Sequence, residues 1–479
     1  MSDCREPAGS IQSPRSSAMV QFLSRNFIFA ISILALVVYM LTYLSGTFGA
    51  PIRADGVGYY IYLPSYIIYG DPTLERVVDE QFGGDVSSWT GVQRSSETGH
   101  YVDKYGVGVA VLMLPFFLIA HAFTWCLQSP SGGEPWWHLN YTLNGYSLFY
   151  QHAAGLAGLF YSLMGIGILK GLLEKQFSRG IALVTLSILF FGTSLLHYTS
   201  GESVQSHSYS FFLFAALLWA TDRWSRQSRS WTHSAVLGLI CGLIVLVRVT
   251  NLIAMLIVFL YGITSVGGIR RWLHDRCERI AELALVAVIT FCVFALQLAI
   301  NHYGTGRWTI NPYGIQNPTE TFYFLSPQII LVLFSLKRGL FFWSPLLLII
   351  LPGLFLMRRH RSSLAFAVSV ILLLHLWIVS SWHMWWYGGG FGHRAFVEYY
   401  AFMAFPCAAF VSSLKGRWAK VVFAGFAVLT IAWLLFFMKL YYTRELSFYG
   451  LDRQALFDIF WWRGKILLNW LNIVFAGTA

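Results

Sequence analysis

The chain alternates long apolar stretches with short polar segments. With helix length as the gauge, at 1.5 Å of rise per residue and a hydrocarbon core of about 30 Å, the apolar stretches predict membrane-spanning helices. We predict eleven such helices, near residues 27–47, 146–169, 181–196, 204–221, 234–247, 250–265, 281–300, 340–357, 364–381, 396–413 and 421–438. The pattern indicates an all-α fold, a polytopic transmembrane bundle with a long external first loop.

Composition supports this fold class. Of 479 residues, 56% are hydrophobic and 11% are charged, and the mean hydropathy is +0.58, whereas about a quarter of the residues of a soluble domain are charged. This excludes a soluble globular enzyme. We predict a cytoplasmic polar tail over 1–26, a transmembrane domain over 27–440 with its external loop over 48–145, and an external tail over 441–479 with an amphipathic stretch at 457–475.

The basic residues orient the bundle. If the N-terminus is cytoplasmic, 19 of the 33 Lys and Arg lie in the inside segments 1–26, 170–180, 222–233, 266–280, 358–363 and 414–420, as the positive-inside rule requires. The net charge of +11 is therefore topogenic, and no clustered basic face indicates nucleic acid as a partner. Counting residues 105–127 as a crossing would violate the rule twice, so we expect that stretch to be interfacial or re-entrant.

Under this topology, the unusual polar residues lie on the external side. Asp55 follows the first span, in a loop where glycines permit close backbone approach. It suits either catalysis or an N-cap for a helix that starts at Val57. Asp103 and Lys104 open the interfacial stretch, where Lys104 could bind an anionic head group or serve as a snorkelling anchor.

Three further positions are polar within apolar surroundings. Glu202 and His207 lie at the tip between the third and fourth spans, where a purely structural polar turn is the alternative. Arg248 interrupts an almost continuous apolar run, so we expect two short helices that turn there. A lone Arg at that depth requires an anion, either a ligand phosphate or a carboxylate such as Asp55 or Glu202.

Two later segments combine cations, glycines and aromatic rings. Arg338 lies at a membrane boundary beside Gly339 and Phe341, where snorkelling is the alternative function. The segment 382–394 contains a glycine run between aromatic and cationic residues, which suits sugar rings because their C–H faces pack on aromatic faces. The residues of interest there are Trp385, Trp386, Tyr387, His393 and Arg394, and Glu398 is at helical spacing for an ion pair with Arg394.

These residues resemble segments of the polytopic GT-C glycosyltransferases, particularly bacterial members similar to lipid A aminoarabinose transferase and protein O-mannosyltransferases. The likeness runs from the first span to about residue 410. It consists of Asp55 in the first external loop, the segment Asp103 to Gly106, the acidic turn at Glu202 and the Gly-x-x-x-Leu-x-Arg pattern that ends at Arg248. The motifs are short, and their order and common side of the membrane carry the resemblance.

The resemblance implies that residues 27–440 form a catalytic domain. This domain would take a sugar from a polyprenyl-phosphate donor in the outer leaflet. Asp55 would be the general base, with inversion at the anomeric carbon, and Lys104, Arg248 and Arg338 would hold the donor phosphate. Asp103, Glu202 and His207 would position the acceptor or a cation. Some relatives bind a divalent metal and others need none, so Asp103 and Glu202 are possible ligands.

The resemblance leaves several points open. This chain has Asp103 where the aminoarabinose enzymes have glutamate, and it has no extended Asp-x-Asp motif. The acceptor could be a glycan, a lipid or a protein. Membrane lipids are expected partners, and the expected location is a bacterial inner membrane.

Two other functions compete with this one. A lipid flippase or transporter would also carry charges near the membrane, but inverted repeats are not apparent. An O-antigen ligase or polymerase would share the lipid-phosphate donor. The sequence contains no P-loop, no Rossmann fingerprint and no nucleophile elbow, and its six cysteines are scattered without a CxxC pair.

Overall fold

A computed structural model describes residues 14–44, 49–127, 141–227, 229–263, 269–310 and 320–476. Almost every element in these ranges is helical. The helices are α1 Pro14–Leu44, α2 Asp55–Ile67, α3 Glu75–Phe82, α4 Gly108–Leu127, α5 Leu148–Glu174, α6 Arg179–Phe191, α7 Leu195–Ser200, α8 Ser206–Arg226, α9 Trp231–Val247, α10 Leu256–Leu260, α11 Ile269–Glu278, α12 Ile280–Thr305, α13 Ile329–Phe334, α14 Leu340–Trp343, α15 Ile350–Ser381, α16 Tyr400–Ser413, α17 Arg417–Tyr442 and α18 Arg453–Ala476. This confirms the predicted all-α class.

Six of the described helices contain a segment that is long and apolar enough to cross a membrane. These segments are Ala18–Tyr43, Gly108–Leu127, Leu148–Glu174, Ile280–Thr305, Leu364–Ser381 and Arg417–Tyr442. Most of the other predicted spans coincide with shorter apolar helices. The predicted span 181–196 is divided into α6 and α7, and 250–265 begins as the 3₁₀ segment Val249–Met255 before the five-residue α10.

Helix α4 lies between the end of α9 and the first turn of α5. Its first residue, Gly108, packs against the backbone of Val247 at the end of α9, and His121 near its other end hydrogen-bonds Tyr150 in the first turn of α5. That turn also carries Gln151, whose side chain accepts from the backbone of Ile52 in the first loop. Helix α4 is long and apolar enough to cross a membrane, and its re-entrant or interfacial placement stays a prediction.

One helix, α15, extends over a region where the sequence predicts two spans and a turn. It covers the last part of the predicted span 340–357, the predicted turn 358–363 and the span 364–381. Its 32 residues would extend about 48 Å if straight. However, Gly353 packs on Pro406 and His375 stacks on Tyr399, with ring centroids 3.5 Å apart. The partners Tyr399 and Pro406 lie only about 10 Å apart along the helical chain, whereas Gly353 and His375 would lie about 33 Å apart in a straight helix. Helix α15 therefore bends between Gly353 and His375, where the sequence predicts the turn.

Close helix approach depends on glycines. On α9, a Cβ at Gly242 would lie 2.6 Å from Val293 of α12. On α5, a Cβ at Gly158 would lie 1.8 Å from the carbonyl oxygen of Ser203, in the tip between α7 and α8. Ser203 also donates a hydrogen bond of 2.7 Å to the carbonyl of Gly155. These contacts fix the tip that carries Glu202 against the bundle.

The first external loop folds against the ends of these helices. After α2 and α3, strands β1 Val92–Arg94 and β2 Tyr101–Asp103 pair in antiparallel register, with Val92 opposite Asp103. Gly91 precedes β1 at φ +80°, and a Cβ there would collide with Tyr105 and Lys104. The hairpin therefore sets the position of Lys104 just before α4.

The tail after α17 is helical over α18, where Phe457, Trp461 and Trp462 are exposed. This agrees with the predicted amphipathic stretch as far as its side chains are described, and the external location of the tail stays a prediction. Residues 1–13 of the predicted N-terminal tail lie outside the described residues.

Replacing Gly158 with Ala should destabilise the protein, because the new methyl group would overlap the backbone of Ser203. Overpacking of this kind costs about 1–3 kcal/mol. Gly167→Ala in the same helix is the matched control, since nothing lies within 4 Å of its Cβ position. Thermal unfolding of the detergent-purified proteins checks this: Gly158→Ala should unfold at a lower temperature and Gly167→Ala should not. Equal temperatures for Gly158→Ala and wild type would contradict the close packing.

Candidate active site

One cavity of about 410 Å³ lies where the ends of α2, α8, α9, α12 and α15 meet. Its wall combines charged, polar and aromatic groups from seven separate parts of the chain. Among the lining residues are Asp55, Tyr59, Lys104, Tyr105, His207, Arg248, Thr250, Gln297, Asn301, Glu320, Phe322, Trp382, Tyr387 and Arg394. The structure therefore brings together six residues that the sequence singles out: Asp55, Lys104, His207, Arg248, Tyr387 and Arg394.

Asp55 is the first residue of α2, and its carboxylate faces Arg394 instead of capping the helix. The cap residue is Ala54, at φ 46° and ψ −130°, with no side-chain capping bond. Asp55 Oδ2 accepts from Arg394 Nη1 at 2.8 Å, and both side chains are about one-fifth exposed. The alternative of Asp55 as an N-cap is therefore wrong. The non-glycine residue at positive φ beside it is a strained backbone position of the kind found at functional sites.

Arg248 is held by Glu398. Arg248 Nη1 lies 3.5 Å from Glu398 Oε1, and His207 Nδ1 lies 2.9 Å from Glu398 Oε2. The proposed structural partners of Arg248, Asp55 and Glu202, do not pair with it. The predicted pair between Arg394 and Glu398 is also wrong, because the chain from Arg394 to Phe396 is a 3₁₀ turn and α16 begins only at Tyr400. Helical spacing therefore does not apply between these two residues.

Lys104 and Asp103 face different surroundings although they are adjacent. Lys104 lines the cavity, with its ammonium nitrogen 5.3 Å from the centroid of the Tyr105 ring. Asp103 is 3% exposed, and its Oδ1 accepts from the backbone N–H of Tyr105 at 2.9 Å. Its Oδ2 is buried without a hydrogen-bond partner. Burial raises the pKa of Asp103 well above its usual value, which favours the neutral acid.

Glu202 belongs to a second polar cluster behind the cavity wall. Its carboxylate lies 3.5 Å from His197 and 3.9 Å from Arg53, and it accepts from Gln205 at 2.9 Å and Tyr441 at 3.1 Å. Burial alone would raise the pKa of Glu202, but His197 and Arg53 outweigh it and hold the pKa at about 2. Glu202 is therefore an ionised carboxylate in a structural network, outside the cavity lining.

Arg338, Trp385, Trp386 and His393 also do not line the cavity. Arg338 is 1% exposed, and its Nη2 donates to the carbonyl of Phe448 at 2.5 Å. The ammonium nitrogen of Lys337 lies 3.6 Å from the centroid of the Trp386 ring. His393 is buried with Phe396 and Tyr387 around its ring. Of the five predicted sugar-binding residues, Tyr387 and Arg394 reach the cavity, and Trp382 at the start of the same segment also lines it.

The two possible metal ligands do not form a common site. Asp103 is buried at the end of β2 and its neutral form is favoured, while the oxygens of Glu202 contact His197, Gln205 and Tyr441. No group of three His, Cys, Asp or Glu suited to a metal ion occurs in the described ranges. These residues do not fit a divalent cation, so no step of the chemistry is derived through one.

Several lining residues escaped the sequence analysis. Gln297 and Asn301 are polar positions four residues apart on the apolar α12, and they hydrogen-bond each other at 2.7 Å. Two polar residues at helical spacing, at the end of the predicted span 281–300, were the signal in the sequence that could have identified them. Phe322 pairs with Trp382 as an isolated antiparallel bridge, which brings Glu320 to the cavity. A long-range pairing of two coil segments leaves no periodic pattern from which it could be predicted.

Comparisons with known proteins support the fold. No family model matches the sequence, and no curated protein matches it. Among solved structures, the chain is similar to the archaeal oligosaccharyltransferase AglB from Archaeoglobus fulgidus, in complex with an inhibitory peptide and a dolichol-phosphate, with a TM-score of 0.51 at 12% identity. The match covers 90% of this chain and 57% of the oligosaccharyltransferase chain. This chain therefore spans a little over half the length of that protein. The shared architecture confirms the predicted GT-C-like transmembrane fold.

Asp103→Asn should preserve or increase stability at alkaline pH. A carboxyl group whose pKa is raised in the folded state contributes stability that is present at low pH and is lost as the pH rises through the folded-state value. The amide keeps an oxygen for the Tyr105 N–H and cannot ionise. We expect the unfolding temperature of the wild type to fall more than that of Asp103→Asn between pH 5 and pH 9. A larger loss for the variant at pH 9 would mean that Asp103 is ionised and paired.

Proposed function

We propose that the protein is a membrane glycosyltransferase that moves a single hexose or pentose from a polyprenyl-phosphate carrier to an acceptor on the external, periplasmic side of a bacterial inner membrane. The observation that carries this proposal is the cavity in which one aspartate, Asp55, lies among the cations Lys104, Arg248 and Arg394. A base beside a group of cations suits a reaction in which a hydroxyl attacks and a phosphate leaves. The fold supports this choice, because the similar oligosaccharyltransferase was solved with a dolichol-phosphate and a peptide.

The position of the cavity fits a lipid-linked donor. It lies where transmembrane helices end, and Val245, Leu246, Val247, Val249 and Ile310 form part of its wall. Apolar and charged groups in one wall suit a ligand with a hydrocarbon chain and a phosphate head. The phosphate ester of such a donor supplies the driving force, so the reaction requires no nucleotide-binding loop.

We propose a chemical step that uses these positions. Asp55 accepts the proton of the acceptor hydroxyl while the hydroxyl oxygen bonds to the anomeric carbon. The bond from that carbon to the phosphate oxygen breaks on the opposite face, with inversion, and the polyprenyl phosphate leaves with its additional negative charge. Lys104 and Arg248 stabilise that charge, and Arg394 orients the carboxylate of Asp55.

Asp55→Asn should reduce transfer by about 10²–10⁴-fold, because the amide cannot accept the proton. Binding of the donor lipid should stay close to the wild-type value. Asp85→Asn is the matched control, since Asp85 is an exposed carboxylate of the same external loop and should retain full transfer. Transfer from a radiolabelled lipid-linked sugar and native mass spectrometry of the bound lipid measure the two properties separately. Full activity of Asp55→Asn would reject Asp55 as the base.

Arg248→Ala should weaken binding of the donor lipid itself by about tenfold or more, since it removes a cation that pairs with the phosphate. Arg94→Ala removes an exposed cation of the external loop and should leave binding unchanged. Native mass spectrometry of the purified proteins with their co-purified lipids provides the comparison. Retention of polyprenyl phosphate by Arg248→Ala at the wild-type level would contradict the assignment of Arg248, and ordinary phospholipid alone in both proteins would favour a transporter.

A further inference from the structure

A second group of cations lies at the end of the bundle opposite the cavity. Helices α8, α9 and α12 connect the two ends, since α8 carries His207 at the cavity and Trp224 seventeen residues later, at the other end. Seventeen helical residues extend about 25 Å. The second group is therefore separated from the cavity by most of the thickness of a hydrocarbon core.

Two guanidinium groups lie against the ring of Trp224, which is fully buried. The Cζ of Arg279 is 3.8 Å and that of Arg276 is 4.9 Å from the ring centroid. Arg279 donates to the carbonyl of Trp224 at 2.7 Å and pairs with Glu282 at 2.5 Å. Arg276 donates to the carbonyl of Tyr261 at 2.6 Å. Both cations are thus fixed in place beside one aromatic ring.

Three N–H donors in this cluster are buried and have no hydrogen-bond partner among the residues that the structure describes: Trp272 Nε1, Arg276 Nε and Arg279 Nη2. Trp272 and Arg276 lie one helical turn apart on α11, where Trp272 Cδ1 and Arg276 Nη2 lie 3.7 Å and 4.0 Å from the Cβ position of Gly262. Buried donors without acceptors are costly, and in native proteins they usually mark a missing water, ion or ligand. Because all three groups are donors, the missing partner is an acceptor.

The charge of the cluster indicates that the acceptor is an anion. Arg279 has Glu282 as its counterion, whereas Arg276 forms no ion pair within 4 Å among the described residues. Burial and the neighbouring Arg279 lower the pKa of Arg276 to about 10, so its positive charge is held there at a cost. A bound anion would compensate that charge and accept from the free N–H groups.

The surroundings indicate that the anion belongs to a lipid. The exposed apolar residues Trp231 and Ile280 begin α9 and α12 next to the cluster, as expected at the boundary of a membrane. Exposed cations at the same end, including Arg223 and Arg226, would attract anionic lipids. The positive-inside rule explains the exposed cations at this end. It does not explain three buried N–H donors that have no partner among the described residues.

We propose that Trp272, Arg276 and Arg279, around Trp224, form a binding site for the phosphate head group of an anionic phospholipid in the leaflet opposite the cavity. The site is independent of the proposed glycosyl transfer, since none of its residues lines the cavity.

Native mass spectrometry of the full-length, delipidated protein, titrated with phosphatidylglycerol and with phosphatidylcholine of the same acyl chains, tests the proposal. The wild type should bind phosphatidylglycerol more tightly. Arg276→Gln and Trp272→Phe should each weaken that binding about fivefold, the factor that corresponds to the loss of one cation near the head group or of one hydrogen bond. Trp272→Phe retains an aromatic ring and removes one unpaired donor, so it tests the site even if Arg276→Gln does not fold.

Arg223→Gln is the matched control, because it removes the same charge from an exposed arginine at the same end. It should weaken the binding of phosphatidylglycerol by less than Arg276→Gln does, because solvent and salt screen the field of an exposed cation. An equal loss with Arg223→Gln, or equal binding of the two lipids by the wild type, would overturn the site. Displacement of phosphatidylglycerol by inorganic phosphate at the same concentration would assign the site to free phosphate and overturn the lipid. Wild-type affinity in Trp272→Phe would show that its indole N–H binds nothing.

Discussion

The ion pair between Asp55 and Arg394 joins two parts of the chain that are 339 residues apart. Two charges at the edge of an apolar bundle are costly unless they are paired, so this contact holds the first external loop against the segment that precedes α16. On its other side, Arg53 donates to the carbonyl of Gly201 at 3.2 Å and lies near Glu202. Ala54 lies between these two anchors, which explains how its unfavourable backbone conformation persists. The carboxylate of Asp55 is thereby fixed before any substrate binds, which is the condition for preorganised catalysis.

Much of the fold could be predicted because membrane helices follow simple local rules. Apolar length located the helices, and the distribution of Lys and Arg assigned the unusual polar residues to one side. Asp55, Lys104, Arg248 and Arg394 accordingly share one cavity. The same rules predict that 105–127 is not a crossing, although α4 is long and apolar enough to be one. Apolar length carries no information on bends, which is why α6, the 3₁₀ segment after Arg248 and the bent α15 differ from the predicted spans.

Pairing within the site could not be predicted, because it depends on backbone geometry between the elements. Arg394 and Glu398 have the spacing of a helical pair, yet a 3₁₀ turn between them directs one to Asp55 and the other to Arg248 and His207. Similarly, Trp385 and Trp386 have the composition of a sugar platform but lie outside the cavity, where Trp386 packs under Lys337. Composition identifies the residues available for binding, and tertiary contacts decide which of them face the ligand.

The bridge formed by Glu398 would allow Arg248 to bind and release the proposed phosphate ligand. Removing the partner of a buried charge is usually destabilising, because the charge left behind has no compensation. Here, Glu398 has two partners, and its contact with His207 is the shorter, 2.9 Å against 3.5 Å for Arg248. A phosphate that draws Arg248 away therefore leaves Glu398 hydrogen-bonded to His207, so the carboxylate keeps one polar partner. Arg276, at the opposite end of the bundle, has no carboxylate within 4 Å among the described residues, so an anion bound there would add a partner without replacing one.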